Sequence, residues 1–242
     1  MSIEFVYPYP PLTAGILVKR YKRFLADIEL ENGEIITAHC PNTGPMTGVC
    51  HIGAKVYLSN SNNPKRKLAY TWEMIQIDET WVGVNTALPN RVIKQALTEK
   101  IFPNLDSYYD TIKPEVPYGK NKKSRIDFLL TGTDQKPIYL EVKNTTLALE
   151  NQAQFPDTVT TRGQKHLQEL IDLCPDAHAV MLYFINRGDC TEFAPGDDYD
   201  SVYGQLLRQA IAVGVEVMPC RFEVSPDGVK FLGMAELAIA NF

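Results

Sequence analysis

The chain has 242 residues and a mass of 27.2 kDa, enough for one large domain or two small ones. Hydrophobic residues at 45% and charged residues at 22% are globular proportions, which excludes a disordered or collagen-like chain. With 24 basic against 29 acidic residues the net charge is −5, so no chain-wide positive field exists and any attraction for phosphate must come from local patches.

In chain order, Met1-Ser-Ile-Glu-Phe-Val-Tyr-Pro8 has neither a basic start nor an extended apolar stretch, so no secretory signal and a cytoplasmic location are expected. Runs rich in β-branched and aromatic residues follow at Gly15–Val18, Arg23–Leu30, Glu34–His39, Lys55–Ser59, Leu68–Ile77 and Trp81–Val84. Turn chemistry at Glu31-Asn-Gly33, Pro41-Asn-Thr-Gly-Pro45 and Asn60–Pro64 separates them. Short strands at this density predict a small OB-like β-barrel over residues 1–83. The pairs His39-Cys40 and Cys50-His51 invite a zinc reading, but neighbours on a strand point to opposite faces, so buried thiols are the expectation. The five cysteines are odd in number and lack a Cys-x-x-Cys pair, which fits a reducing compartment.

Beyond residue 83 the pattern changes. A helix is predicted over Pro89–Lys100, then apolar strands at Ser124–Leu130 and Pro137–Lys143 and a helix from Thr161 to Leu173. Strand Ala177–Ile185, helix Ser201–Val213, strand Val215–Val224 and a hairpin through Ser225-Pro-Asp-Gly228 complete an α/β domain over 84–242, with helices flanking a mixed sheet. The longest apolar run, Ala179–Ile185, has seven residues, far short of the roughly 20 of a membrane helix, so no membrane partner is expected.

Residues 1–125 hold 16 Lys/Arg and 12 Asp/Glu, whereas 126–242 hold 8 and 17; cutting at residue 83 instead gives 8 against 8 for the first part. Three basic runs survive any choice of cut: Lys19-Arg-Tyr-Lys-Arg23, Lys65-Arg-Lys67 and Lys120-Asn-Lys-Lys-Ser-Arg125. Such patches bind phosphates even on an acidic molecule, because salt screens charges beyond about 8 Å. Lys65–Lys67, inside a Ser/Asn-rich turn, reads as a solvated loop. Lys19, Arg20, Lys22 and Arg23, with Tyr21 among them, and Lys120, Lys122, Lys123 and Arg125 are the nucleic-acid candidates.

The chemistry concentrates in Ser124-Arg-Ile-Asp-Phe-Leu-Leu130 and Pro137-Ile-Tyr-Leu-Glu-Val-Lys143. Alternation puts Ile126, Phe128 and Leu130 on one face of the first strand, and Ile138, Leu140 and Val142 on one face of the second. A hairpin with Asp134 at the loop centre aligns these sets and sets Asp127 opposite Glu141, with Lys143 one pair beyond. Like charges directly opposite are destabilising in a sheet, and a divalent cation such as Mg²⁺, which prefers carboxylates, waters and phosphate oxygens, removes the penalty. Lys143 would then stabilise charge developing at phosphorus. A structural Glu–Lys pair beside an incidental Asp is the competing reading.

Ile126-Asp127 followed by Glu141-Val-Lys143 resembles the Asp…Glu-x-Lys signature of the PD-(D/E)XK nuclease superfamily. Longer stretches are similar to the bacterial sugar fermentation stimulation protein A family: Cys40–Met46, Tyr118–Leu130, Leu140–Leu147, Phe155–Leu167 and Tyr203–Leu206. The resemblance implies an N-terminal OB-like domain, a C-terminal domain of restriction-endonuclease-like type, DNA binding and a role in regulating sugar, particularly maltose, metabolism. It carries Asp127 and Glu141 over as metal ligands for Mg²⁺ or Mn²⁺ and Lys143 as the catalytic lysine. Glu115 in Pro114-Glu-Val-Pro117 is either an additional acid or an exposed strand-edge carboxylate.

Thr160-Thr-Arg-Gly-Gln-Lys-His166 opens a helix, whose free N–H groups favour phosphate. Gln164 is expected to project toward the site, with Arg162 and Lys165 meeting the DNA backbone and His166 structural or exposed. Asn42-Thr-Gly44 reads as a tight structural turn. The expectation is a DNA-binding protein with a divalent-metal-dependent phosphodiesterase site. The rivals are a non-catalytic DNA-binding regulator with a nuclease-like fold and a protein directed at RNA through its OB-like domain.

Overall fold

The computed structural model describes residues 6–119, 124–133, 135–174 and 176–239; Lys120, Lys122, Lys123 and Asp134 lie outside the described residues. After a two-residue strand β1 (Tyr7–Pro8), the alternating runs form β2 (Leu12–Tyr21), β3 (Leu25–Leu30), β4 (Ile35–His39), β5 (Lys55–Asn60), β6 (Tyr70–Ile77) and β7 (Thr80–Gly83). Antiparallel pairs β2–β3, β3–β4, β2–β5 and β5–β6, closed by a parallel bridge from His39 to Thr71, make a five-stranded barrel of OB order. Leu17, Ile28, Val56, Leu58, Trp72 and Ile75 fill its interior, and bulges at Val18 and Glu73 bend β2 and β6 around it.

The second unit runs through α1 (Leu88–Thr98), α2 (Pro103–Asp106), β8 (Thr111–Tyr118), β9 (Ser124–Thr131), β10 (Ile138–Thr145), β11 (Leu147–Leu149) and β12 (Gln152–Phe155). It continues with α3 (Thr161–Leu173), β13 (His178–Ile185), β14 (Glu192–Pro195), α4 (Ser201–Ala212), β15 (Glu216–Val224), β16 (Gly228–Met234) and β17 (Glu236–Leu237). Seven strands order as β1-β16-β15-β13-β10-β9-β8, with β10, β13 and β15 mutually parallel and the others antiparallel. The central strand β13 is covered on both faces, which is why its sequence is the longest apolar run. On one face α1 packs Val92, Ile93, Ala96 and Leu97 against Leu140 and Leu182. On the other, α3 and α4 bring Leu167, Leu170, Tyr203 and Leu207 to Met181 and Tyr183. Among the described residues, no helix is long and apolar enough to cross a membrane.

Several elements depart from the expected layout, among them α2 and the short strands β11, β12, β14 and β17, which form a separate four-stranded sheet. Tyr7–Pro8 does not stay with the barrel; it pairs with Gly228–Val229, so the chain's start completes the sheet of the second unit. Strand β8 carries Pro114 and Pro117, which argue against a strand, but it is the sheet's edge, where a missing N–H costs nothing. The two units join at Gly83, whose N–H donates to the Asn186 carbonyl at 2.9 Å; a Cβ there would lie 2.0 Å from the Asn186 side chain.

Candidate active site

The hairpin β9–β10 has the expected register, with Leu130, Leu129 and Phe128 opposite Ile138, Tyr139 and Leu140. The ladder stops there, and the next position holds Asp127 and Glu141. The expectation that Ile126 shares a face with Phe128 fails: Phe128 and Leu130 pack under α1, while Ile126 packs on the other side with Tyr118 and Leu167. The strand therefore changes face at Asp127. Across from it on β8, between the pairs Pro114–Phe128 and Val116–Ile126, Glu115 adopts φ +54° and is exposed at the sheet edge. Side-chain alternation is broken where the acid sits, and the freed Asp127 carboxylate takes the N–H of Val142 at 2.7 Å. Its other oxygen accepts from Asn90 Nδ2, on the first turn of α1, at 2.8 Å.

Glu141 lies on the α3 side of β10 and is 3% exposed. Its Oε1 accepts from Lys143 Nζ at 2.6 Å and from His166 Nδ1. The His166 Nε2 faces the Arg162 Nε–H at 3.4 Å and so acts as acceptor, which leaves the ring proton on Nδ1 for Glu141. His166 is buried and bonded to Glu141, so of the two expected places, structural or exposed, it takes the structural one. The face α3 turns inward is Gly163, His166, Leu167 and Leu170, at helical spacing. Gln164 points elsewhere: its Nε2 donates to both Asp200 oxygens at 2.9 and 3.0 Å, and Asp200 also caps α4 through the Tyr203 N–H.

Burial and then the neighbouring charge of Glu141 push the Asp127 carboxyl up to about 6, against the opposing hydrogen bonds from Val142 and Asn90. Burial acts to raise Glu141 as well, but Lys143 and His166 hold it below the ordinary carboxylate range. Two carboxylates thus feel each other in a dry setting, and Glu141 Oε2 is buried with no hydrogen-bond partner. An orphaned carboxylate oxygen beside a reluctant second acid fits a divalent cation, which relieves both penalties at once. Among the described residues no group of three or more His, Cys, Asp or Glu side chains forms a metal-binding cluster, so the protein would contribute two carboxylates and leave other positions to water or phosphate.

The basic candidates fall into two sets. Arg125 is exposed and bonds the Glu115 carbonyl at 3.1 Å, Lys165 Nζ reaches Ser124 Oγ at 2.9 Å and Glu169 at 3.5 Å, and Arg162 stands over His166. These three sit around the start of β9 and the first turns of α3, on the side of Glu141. In the barrel, by contrast, Arg20 Nη2 donates to the carbonyls of Arg23, Asn42 and Gly44 at 2.9, 2.9 and 2.7 Å. Arg23 Nε bonds the Thr43 carbonyl at 2.7 Å, and Lys19 pairs with Asp27 at 3.4 Å. Lys22 is exposed, and among the described residues it alone of that run has no polar side-chain contact. The turn Asn42-Thr-Gly44 is accordingly braced by two arginines and by its own Asn42 Oδ1, which accepts from Gly44 N at 3.0 Å. Cys40 is buried beneath it, with Sγ 3.7 Å from the Met46 sulfur.

Asn90 is the site residue that sequence reasoning passed over, and His166 was named there without a place beside Glu141. His166 carried a signal, its phase with Leu167 and Leu170. Asn90 carried none, because its link to Asp127 spans 37 residues.

A family model described as the SfsA N-terminal OB domain matches residues 18–84, and one described as the sugar fermentation stimulation protein RE domain matches 87–228. The sugar fermentation stimulation protein homolog of Synechocystis sp. is 78% identical over 237 residues, covering 98% of this chain and all of that protein. That of Crocosphaera subtropica is 67% identical over 238 residues, covering 98% and 99%. The solved structure of Pyrococcus furiosus SfsA in complex with Ca²⁺ shares the fold with a TM-score of 0.87 at 23% identity, over 98% of this chain and 100% of that one. The chain belongs to the sugar fermentation stimulation protein family.

Proposed function

We propose that this protein binds DNA and hydrolyses phosphodiester bonds at a divalent-metal site formed by Asp127 and Glu141. The observation that carries the reading is the buried, unpartnered Oε2 of Glu141 beside an Asp127 whose carboxyl is pushed up to about 6. The Ca²⁺ bound by the Pyrococcus relative supports a divalent cation, with Mg²⁺ or Mn²⁺ as the working ion. When bound, the cation supplies Lewis acidity to the phosphoryl group.

The chain's own residues do the positioning. His166 and Lys143 hold Oε1, so Oε2 is the oxygen Glu141 offers. Asn90 and the Val142 N–H each take one Asp127 oxygen and fix its direction, leaving lone pairs on both for a ligand. The Lys143 ammonium places a fixed positive charge where negative charge grows on the phosphoryl oxygens. Arg125, Arg162 and Lys165 supply the phosphate-attracting rim. Glu115, exposed and opposite Asp127, is a reserve acid at the sheet edge.

A second reading, a DNA-binding regulator that does not cut, is favoured by one feature: Lys143 and His166 already both donate to Glu141 Oε1, a charge network that holds together without a metal. Either protein would answer to the sugar metabolism role that gives the family its name. Incubation with labelled single-stranded, duplex and branched DNA and with RNA, in Mg²⁺ or Mn²⁺, separates them. Cutting that disappears in Asp127→Ala and Lys143→Ala while binding persists supports the enzyme. Binding without cutting by any preparation leaves the regulator.

A further inference from the structure

We propose that the junction between the barrel and the second unit is a phosphate-binding pocket, gripped by Arg66 and Arg91. A cavity of about 380 Å³ opens there, lined by the end of β4, the loop before β6 and the first turn of α1, and both arginines stand on its walls. Among the described residues no carboxylate lies within ion-pair distance of either guanidinium, and Arg66 has one side-chain hydrogen bond, from Nη2 to Thr71 Oγ1 at 3.2 Å.

The cavity's one carboxylate, Glu73, is turned inward and is 5% exposed. Its Oε1 accepts from Ser59 Oγ at 2.5 Å and its Oε2 from Asn85 Nδ2 at 2.8 Å, so neutral donors hold both oxygens, with the Arg91 charge close enough to act on the carboxyl without an ion pair. His39 completes the wall; burial and then the nearby Arg66 charge hold its ring below the ordinary histidine range, so it faces the cavity as a neutral group. At the start of α1, no side chain caps the helix and no acidic residue occupies the first turn, so nothing there repels an anion.

Two positive forks against one negative carboxylate leave a net positive pocket, and guanidinium forks match phosphate oxygens bidentately. Two forks on separate walls offer more donors than a planar carboxylate accepts, whereas a tetrahedral phosphate presents oxygens in several directions. The phosphate has two chemical sources. One is the backbone of a strand that also visits the acidic site, since Arg91 is the chain neighbour of Asn90, which holds Asp127. The other is a free phosphorylated small molecule.

The test uses the full chain in EDTA, so that its outcome is independent of hydrolysis at Asp127. Inorganic phosphate is titrated calorimetrically, and a labelled single-stranded oligonucleotide by anisotropy, against wild type, Arg66→Gln, Arg91→Gln, the double variant and Lys55→Gln, a distant charge control. Melting temperatures check folding, and Arg91→Lys, which keeps the charge without the fork, should give an intermediate loss. The expected result is phosphate affinity at least tenfold weaker in the double variant and unchanged in Lys55→Gln. If oligonucleotide affinity falls alongside, the source is a strand; if it holds, the source is a small phosphate. Equal phosphate binding by wild type and double variant, or none by either, would overturn the pocket.

Discussion

In the barrel, Arg20 and Arg23 give their guanidinium protons to the carbonyls of residues 23 and 42–44, whereas in the sheet Glu141 keeps one oxygen that nothing in the fold takes. Both places are dense in charge, and in sequence the barrel run Lys19–Arg23 looks the richer in phosphate contacts. The difference lies in who satisfies the charge. The Arg20 guanidinium commits its Nη2 to three carbonyls, with Nε buried and unpartnered, and its worth appears as stability of the Asn42–Gly44 loop. A buried carboxylate with a spare oxygen and a like-charged neighbour is costly to the fold and gains from a ligand. Local density of charge therefore says little about binding until its hydrogen-bond partners are known.

The sharpest break of this comparison is chemical. Glu141→Gln is expected to lower metal-dependent cleavage by about a hundredfold or more, measured with labelled DNA in Mn²⁺, with DNA binding retained. Arg20→Ala should leave cleavage chemistry intact but lower stability by about 2–3 kcal/mol, since a charged donor leaves three carbonyls in a half-buried loop; chemical denaturation reads this directly. An Arg20→Ala protein as stable as wild type would show that the brace is dispensable.

A third expectation concerns pH. Asp127 holds its proton to about 6 in the fold but only to about 4 when unfolded, so between those values rising pH removes a proton the folded state keeps better, and stability falls. Above about 6 the effect is complete. Asp127→Asn abolishes it, so in EDTA the variant should gain on wild type as pH rises from about 4 to about 6 and no further. For the same reason, Mn²⁺ affinity of the wild type should weaken by about tenfold per unit below about 6, because the proton competes for the same oxygens. The smallest effect belongs to the rims. Neutralising Arg125 and Arg162 together should flatten the salt dependence of DNA affinity by about one to two units of slope, against at most about one for Lys22. An equal change from both sets would erase the proposed contrast between them.

Much of this was legible in the sequence because it depends on local pattern. The barrel strands, α1, α3 and the β9–β10 register all follow from alternation, helical spacing and turn residues within a few positions. Asp127, Glu141 and Lys143 were readable because they interrupt apolar strands. Ile126 was misplaced because the change of face at Asp127 is imposed from β8, where Glu115 takes a positive φ that no local pattern announces. The pairing of Tyr7–Pro8 with Gly228–Val229 and the reach of Asn90 to Asp127 are tertiary contacts between distant segments. Gln164 was assigned the inward direction from its spacing to Leu167 and Ile171, but the inward stripe is Gly163, His166, Leu167 and Leu170, and the Gln164 amide is drawn to Asp200 at the start of α4.

The claim beneath all of these is that a divalent cation belongs between Asp127 and Glu141. Crystals soaked in Mn²⁺ and measured at its absorption edge test it most directly. The account predicts one anomalous peak within coordination distance of Glu141 Oε2 and an Asp127 oxygen, absent in Glu141→Gln. Saturating Mn²⁺ with no peak at that position, or a peak that persists unchanged in the variant, would contradict it.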